Sequence, residues 1–337
     1  MNLGRPYVGW GRLPLAVIGV LPAVATGCES NQSVTSPVTE PAREIDTLWW
    51  AMFAGAMVVF AVVIGLLVLA YVRRRGAVDH DDRVPYMVIL GGGMVAPIVA
   101  LGVLFVFVLR VMPAVSAPTP GSTRLTVEVI SHQWFWEVRY PGTAAVTANE
   151  IHIPAGTPVD LVGRTGDVIH SFWVPRLNRK IDLIPGRTNR IELDVSRPGV
   201  YRGQCSEFCG LGHAEMAFNV VVQPPAAFRQ WLAAEARPAT APASGEAALG
   251  EQVFLSQSCA DCHTIRGTSA AGRVGPDLTH VGSRQTLAAL TLENTPESLY
   301  DWISNPQAYK PGSRMPGFGS LPASDRHALV AYLEGLR

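Results

Sequence analysis

The chain has 337 residues, long enough for two or three domains, and its 27 basic and 27 acidic side chains leave no formal net charge. That balance excludes a nucleic-acid partner, which needs a net basic face. The chain is 48% hydrophobic and only 16% charged, and the apolar excess is gathered near the N-terminus, which points to membrane segments rather than an oversized core.

The first apolar run, "LPLAVIGVLPAVATGC", follows Arg5 and Arg12 and is too short to span a bilayer. Residues 1–28 read as a secretory signal: a basic start, a short apolar stretch and small residues before Cys28. The tail "ATGC" resembles a bacterial lipoprotein signal, which implies acylation of Cys28 as the mature N-terminus; Ala25 departs from the leucine usual there. The competing reading is cleavage nearby, with Cys28 left unmodified.

Residues 44–113 are expected to form two transmembrane helices, about 48–72 and 86–112. Each exceeds the ~20 residues needed to cross the hydrocarbon core. Trp49, Trp50, Tyr71 and Tyr86 fall near the ends, where amphipathic rings prefer the interface, and Arg110 can snorkel. The loop between them carries Arg73, Arg74, Arg75 and Arg83, and its Asp79, Asp81 and Asp82 hardly count in the positive-inside rule. This loop is therefore expected in the cytoplasm, with both tails outside, where unprotected thiols tend to oxidise.

Residues 120–224 change to short β-like runs broken by Pro and Gly: "RLTVEVI", "EIHIP", "PVDLV", "IHSFWVP", "RIELDV" and "MAFNVVV". Ile191, Leu193 and Val195 alternate with charges, as in a half-buried strand, so a β-sandwich or Greek-key barrel is expected. Residues 225–244 follow as a helix, "AAFRQWLAAEA", and an Ala/Pro-rich linker. Residues 245–337 turn helical, with Thr295 as N-cap and Pro296 at the first position of one helix and "SDRHALVAYLEGL" as the last.

"CSEFCGLGHAEM" places Cys205, Cys209, His213 and Met216 within twelve residues, and "DVIHSFWVP" offers His170 from a strand. Two thiolates, two imidazoles and a thioether form a soft set that suits copper. Three other readings compete. A Cys205–Cys209 disulfide leaves His213 and Met216 unexplained. A tetrahedral zinc site has no use for Met216. Met216 taken alone reads as core packing, although it is the only methionine between Met112 and Met315.

These motifs, with the aromatic run "SHQWFWEVRY", resemble subunit II of haem–copper cytochrome c oxidases over about Leu48 to Val222. The resemblance implies two transmembrane helices followed by a cupredoxin-like Greek-key domain. It implies a binuclear copper A centre bridged by Cys205 and Cys209, capped by His170 and His213, with Met216 and the Glu207 carbonyl as weaker ligands. It further implies magnesium on the Glu207 side chain at the interface with subunit I, and electron entry near Trp134. On residue type alone Trp134, Phe135 and Trp136 read as sandwich core and surface belt; His132 and His152 are expected to be non-ligands, because the implied copper set is already complete.

"CADCH" is the c-type haem attachment pattern: Cys259 and Cys262 for thioethers, His263 as proximal ligand. Met315, the only methionine after this motif, lies in the Pro/Gly loop "KPGSRMPGF" and is the expected distal ligand; His280 and His327 are the bis-His alternatives. "GPDL", "KPGSRMP" and "ALVAYLEGL" resemble class I cytochromes c, which implies an all-α cytochrome c domain. All five cysteines then have a role.

The expected function is the electron-input subunit of a bacterial terminal oxidase. Electrons pass from haem c to copper A and on to subunit I, which reduces O2 with proton translocation. The expected partners are subunit I, subunit III, and a cytochrome c or quinol:cytochrome c reductase complex as donor. The expected location is the inner membrane, multi-pass, with both redox domains outside. One departure stands out: the family's proton-channel glutamate near the second helix is absent, with Leu90 and Gly93 at the corresponding positions. Two alternatives follow, the copper subunit of a nitric oxide reductase and a stand-alone membrane-anchored electron-transfer or copper protein.

Overall fold

The computed structural model describes residues 31–73, 83–119, 121–242 and 245–337. The signal reading of residues 1–28, with Cys28, and the loop residues Arg74, Arg75, Asp79, Asp81 and Asp82 lie outside the described residues.

Helix α1 (Glu40–Arg73) has 34 residues. At 1.5 Å per residue it is about 51 Å long, well beyond the ~30 Å hydrocarbon core. It begins ahead of the apolar run at Leu48, and the extra turns carry Glu40, Arg43, Glu44 and Asp46. Thr39 caps it, accepting from the Ala42 amide at 3.4 Å, and its hydroxyl also donates to the Leu177 carbonyl. Val38 N–H donates to the Arg176 carbonyl at 3.0 Å, so the chain entering the helix is fastened to the β-domain. The second span consists of α2 (Arg83–Leu90), a π-helical turn (Gly91–Val95) and α3 (Ala96–Val111). Pro97 has no N–H to donate to Gly93, and three glycines in a row let the backbone widen there.

The β-domain is a sandwich of two five-stranded sheets. The strands are β1 (Leu125–His132), β2 (Phe135–Arg139), β3 (Val146–Ala148), β4 (Glu150–Pro154), β5 (Val159–Thr165), β6 (His170–Trp173), β7 (Ile181–Leu183), β8 (Asn189–Leu193), β9 (Gly199–Cys205) and β10 (Ala217–Gln223). One sheet runs β3-β2-β1-β5-β8 and the other β4-β10-β9-β6-β7. The β1–β5 and β4–β10 pairs are parallel, as crossovers between sheets require. In β1, Val127, Val129 and Ser131 face inward while their neighbours are partly or fully exposed. Strands β3 and β7 have three residues each, and β9 reads "GVYRGQC"; none carries enough alternating apolar residues to announce itself. Trp136 is fully buried at the centre, edge-on to Phe218 at 4.8 Å and Phe172 at 6.0 Å.

Helix α4 (Pro225–Glu235) closes one end of the sandwich, with Trp231 stacked on His152 at 3.9 Å. The linker expected after it is tied down where it starts: Ala239 N–H donates to the Arg266 carbonyl at 2.8 Å, and Arg266 donates back to the Glu235 carbonyl at 2.6 Å. An Ala/Pro-rich composition reports that no helix forms there, and main-chain hydrogen bonds can still anchor such a segment.

The C-terminal domain contains α5 (Glu246–Ser256), α6 (Cys259–Cys262), the two-residue strands β11 (Thr286–Leu287) and β12 (Leu292–Glu293), α7 (Pro296–Ser304), α8 (Pro306–Tyr309) and α9 (Ala323–Gly335). Thr295 caps α7 as expected, accepting from Ser298 N–H at 3.2 Å. Helix α5 crosses α9 at Gly250, where a Cβ would lie 1.9 Å from the Ala328 carbonyl oxygen. Backbone cannot yield as a flexible side chain does. Gly250→Ala is therefore expected to destabilise this domain by about 1–3 kcal/mol, read as a lower midpoint in a thermal melt followed by haem absorbance.

Candidate functional site

Strands β1 and β2 are joined by a two-residue turn, Gln133–Trp134, which sets the Trp134 ring at the edge of one sheet. Cys205 ends β9 in the other sheet, and the loop from Ser206 to Met216 returns the chain to β10. Cys205 pairs across to Phe172 in β6, which brings His170 beside the thiol. Both thiols, His170 and Met216 are buried.

The sulfurs of Cys205 and Cys209 lie 3.8 Å apart as free thiols, so the disulfide reading fails. His170 Nδ1 is 3.8 Å from Cys205 Sγ, and His213 Nδ1 is 3.5 Å from Cys209 Sγ. Met216 Sδ stands 3.8 Å from Cys209 Sγ, and the Glu207 carbonyl 3.3 Å from Cys205 Sγ. The structure thus brings together all six groups singled out in the sequence. His132 and His152 lie elsewhere, paired with Glu137 at 3.2 Å and Gln223 at 3.1 Å.

Electrostatics prime this cluster for a metal. Contact with Cys209 draws the Cys205 thiol far below its ordinary pKa; burial opposes this, and hydrogen bonding with His170 adds to it. The same contact, with burial after it, pushes the Cys209 thiol up. A cation bound here displaces thiol protons, so the two sulfurs are its natural anchors. Burial alone would lower the pKa of His170, but hydrogen bonds with Asp167 and Cys205 outweigh it and raise it. Asp167 Oδ1 sits 2.9 Å from His170 Nε2, orienting Nδ1 toward the sulfurs. Asp167 also accepts from Gln133 N–H at 2.7 Å. Asp167 stands three residues before His170 in "DVIHSFWVP", a spacing that does not by itself mark it as the group that orients the imidazole.

The glycines of "CGLGH" have a local cause. Gly210 has φ +113°, and a Cβ there would meet the Trp134 ring at 3.0 Å; at Gly212 the distance would be 2.7 Å. Both form a cradle in which the indole lies, its N–H donating to the Cys209 carbonyl at 3.0 Å.

In the C-terminal domain, Cys259, Cys262, His263 and Met315 line one cavity, with about 1370 Å³ of space not filled by protein atoms, part of it open to solvent. His263 Nδ1 is 2.8 Å from the Pro276 carbonyl, which leaves Nε2 for a ligand, and burial lowers its pKa so that the ring stays neutral. Arg284 Nε and Thr286 Oγ1 are buried without a hydrogen-bond partner, and both residues lie on the cavity wall. The carboxylates of a haem supply what such donors lack, so the residues fit that group. The bis-His alternatives are engaged elsewhere: His280 Nε2 contacts the Arg237 carbonyl at 2.9 Å, and His327 stacks on Tyr300 at 4.7 Å.

The same cavity is lined by Trp134 and by Lys310, whose ammonium donates to the Trp134 carbonyl at 2.7 Å. Burial lowers the Lys310 pKa to about 7, opposed by the charge of Glu215. Lys310 opens "KPGSRMP", and nothing in that segment signals its reach to another domain, because a lysine has no local mark of burial.

Soft donors for copper and a cradle for haem both serve single-electron exchange, and α1 and the second span are long and apolar enough to cross a membrane. The class is a membrane-anchored electron-transfer protein. Residues 143–223 match the family model of the periplasmic domain of cytochrome c oxidase subunit II, and residues 247–337 match that of cytochrome c. The chain is 33% identical over 338 residues to cytochrome c oxidase subunit 2 of Alkalihalophilus pseudofirmus, covering 96% of both chains. It is 30% identical over 223 residues to cytochrome c oxidase subunit 2 of Bacillus subtilis, covering 63% of this chain and 62% of that one. Among solved structures, the periplasmic domain of subunit II of cytochrome oxidase from Bradyrhizobium japonicum is similar at 29% identity and a TM-score of 0.33, covering 35% of this chain and 94% of that one. This chain accordingly belongs to the cytochrome c oxidase subunit II family, as a member with a cytochrome c domain. It is a subunit of a haem–copper oxidase, an oxidoreductase complex, and membership implies copper, haem and a subunit I as partner.

Proposed function

We propose that this chain is the electron-input subunit of its oxidase, and that electrons pass from haem c in the C-terminal domain to a copper A centre and on to subunit I. Cys259, Cys262, His263 and Met315 would hold the haem, the two cysteines through thioethers. Cys205, Cys209, His170, His213, Met216 and the Glu207 carbonyl would hold the copper, the imidazoles offering Nδ1. When bound, the copper pair supplies a one-electron store shared between two atoms, and the haem a one-electron donor. The single observation that carries this reading is the position of Trp134, a residue on the wall of the haem cavity whose indole N–H donates to the Cys209 carbonyl.

The residues of the chain bury both thiols and Met216, orient the His170 imidazole through Asp167, and tie the Trp134 indole to the Cys209 carbonyl. The exposed Glu207 side chain, next to exposed Phe208, suits a magnesium shared with subunit I. Subunit III and a cytochrome c or a quinol:cytochrome c reductase complex complete the proposed assembly. Both redox domains face outward from the inner membrane, and O2 reduction with proton translocation takes place in subunit I. The span from Tyr86 to Leu109 contains no carboxylate, so the proton route belongs to another chain.

Metal analysis and EPR on the oxidised full-length chain test the copper assignment. The expected spectrum is split by two equivalent copper nuclei, with copper and haem present at two to one. A single-copper pattern, or zinc in the site, overturns the assignment.

A further inference from the structure

Lys310 belongs to neither ligand set, yet it is only 3% exposed. Desolvating an ammonium is costly, and an apolar side chain would fill the same space without that cost. What the ammonium does is join two elements: it donates to the Trp134 carbonyl at 2.7 Å and to the Ala288 carbonyl at 2.9 Å. Trp134 belongs to the copper-bearing sandwich, whereas Ala288 and Lys310 belong to the haem domain.

Both neighbours of Lys310 are themselves constrained. Ala288 opens a turn of three left-handed residues, with φ of 52° at Ala288, 62° at Ala289 and 67° at Leu290. Residues with a Cβ seldom adopt that conformation, and here none is glycine. The turn is held from the sandwich side as well, since Ala217 N–H donates to the Ala289 carbonyl at 3.3 Å. Just ahead of it, Gln285 N–H donates to Glu150 Oε1 at 2.7 Å.

On its other side, Lys310 starts the loop that ends at Met315. Gln307 braces this loop, donating to the Ser313 carbonyl at 2.7 Å and accepting from Gly312 N–H at 2.8 Å. Gly312 approaches the copper domain so closely that a Cβ would lie 3.2 Å from the Trp134 ring and 3.0 Å from Leu211.

We propose that Lys310 is a positioning residue for interdomain electron transfer: it pins the Met315 loop and the Ala288–Leu290 turn to the Trp134 main chain, and so sets the separation of the two redox centres. This rests on the haem-to-copper route proposed above. One electron leaves the haem iron, which is oxidised, and reduces the copper pair by one unit. Lys310 itself gains and loses nothing in the exchange.

The test compares the full-length chain carrying both cofactors with Lys310→Met and Lys310→Gln. Hydrogen–deuterium exchange is followed at residues 133–136 and 285–290, and the haem-to-copper rate is followed after rapid reduction of the haem. Loss of both Lys310 hydrogen bonds in Lys310→Met is expected to speed exchange in both segments about tenfold. Exchange in β5 and β8 and both cofactor spectra stay as in the parent, and electron transfer slows by a similar factor. Lys310→Gln, which keeps a donor group, falls between.

Unchanged exchange in the two segments overturns the proposal, and so does faster exchange with an unchanged rate. Loss of either cofactor spectrum also overturns it, by making Lys310 a folding determinant. If haem electrons never reach copper in the parent chain, it is the route that fails, and the exchange measurement still decides whether Lys310 latches the domains.

Discussion

Cys209→Ser is expected to destroy the shared-electron spectrum of the copper centre and leave at most a single-copper pattern. Serine presents a hard, high-pKa oxygen where copper takes a soft thiolate, and Cys209 is the sulfur that meets both His213 and Met216. Its contact with Cys205 is also the largest influence drawing that thiol into its ionised form, so the substitution weakens the second bridge as well. Oxygen consumption through the complex should fall by more than about a hundredfold, beyond the range typical of residues that only support a metal ligand. The haem spectrum, set in the other domain, should not change. Metal content, EPR and oxygen uptake on one preparation check the prediction; an intact two-copper spectrum would show that Cys209 is not a bridge.

Trp134→Leu is expected to slow haem-to-copper electron transfer several-fold, because it removes a ring and a hydrogen bond that lie between the haem cavity and the copper cluster. The indole fills the cradle of Gly210 and Gly212, and its N–H satisfies the Cys209 carbonyl, so leucine removes both the ring and the hydrogen bond. Trp134→Phe keeps the ring without the N–H and should lie between the two. Transient absorbance at the haem and copper bands measures the rate, with equilibrium spectra showing that both centres are retained. A leucine variant that transfers at the parent rate would remove Trp134 from the route.

The two experiments separate different failures. Loss at Cys209 acts on the copper centre itself, whereas loss at Trp134 acts between centres that both remain intact. Lys310→Met belongs with the second kind but should also change amide exchange, which Trp134→Phe has less reason to do, because Lys310 binds the main chain of residue 134 rather than its ring.

What the sequence by itself determined is local. "CSEFCGLGHAEM" holds most of the proposed copper ligands within one strand end and one loop, and "CADCH" carries the proposed haem attachment in five residues. The two membrane spans are equally plain, because length and apolar composition are properties of a continuous segment. The strands richest in Val and Ile were legible, while β3, β7 and β9 were not, being short or glycine-bearing and held by partners in the sheet.

Only the tertiary structure decided how distant parts meet. His170 joins Cys205 across 35 residues, Trp134 reaches Cys209 across 75, and Lys310 reaches Trp134 across 176. The last two contacts end on main-chain carbonyls, which every residue possesses, so no side-chain identity at the acceptor could announce them. The burial of Lys310 is likewise a property of two domains packed together: in its own segment it is one more charged residue beside a proline, and the sandwich makes it a tie between the redox centres.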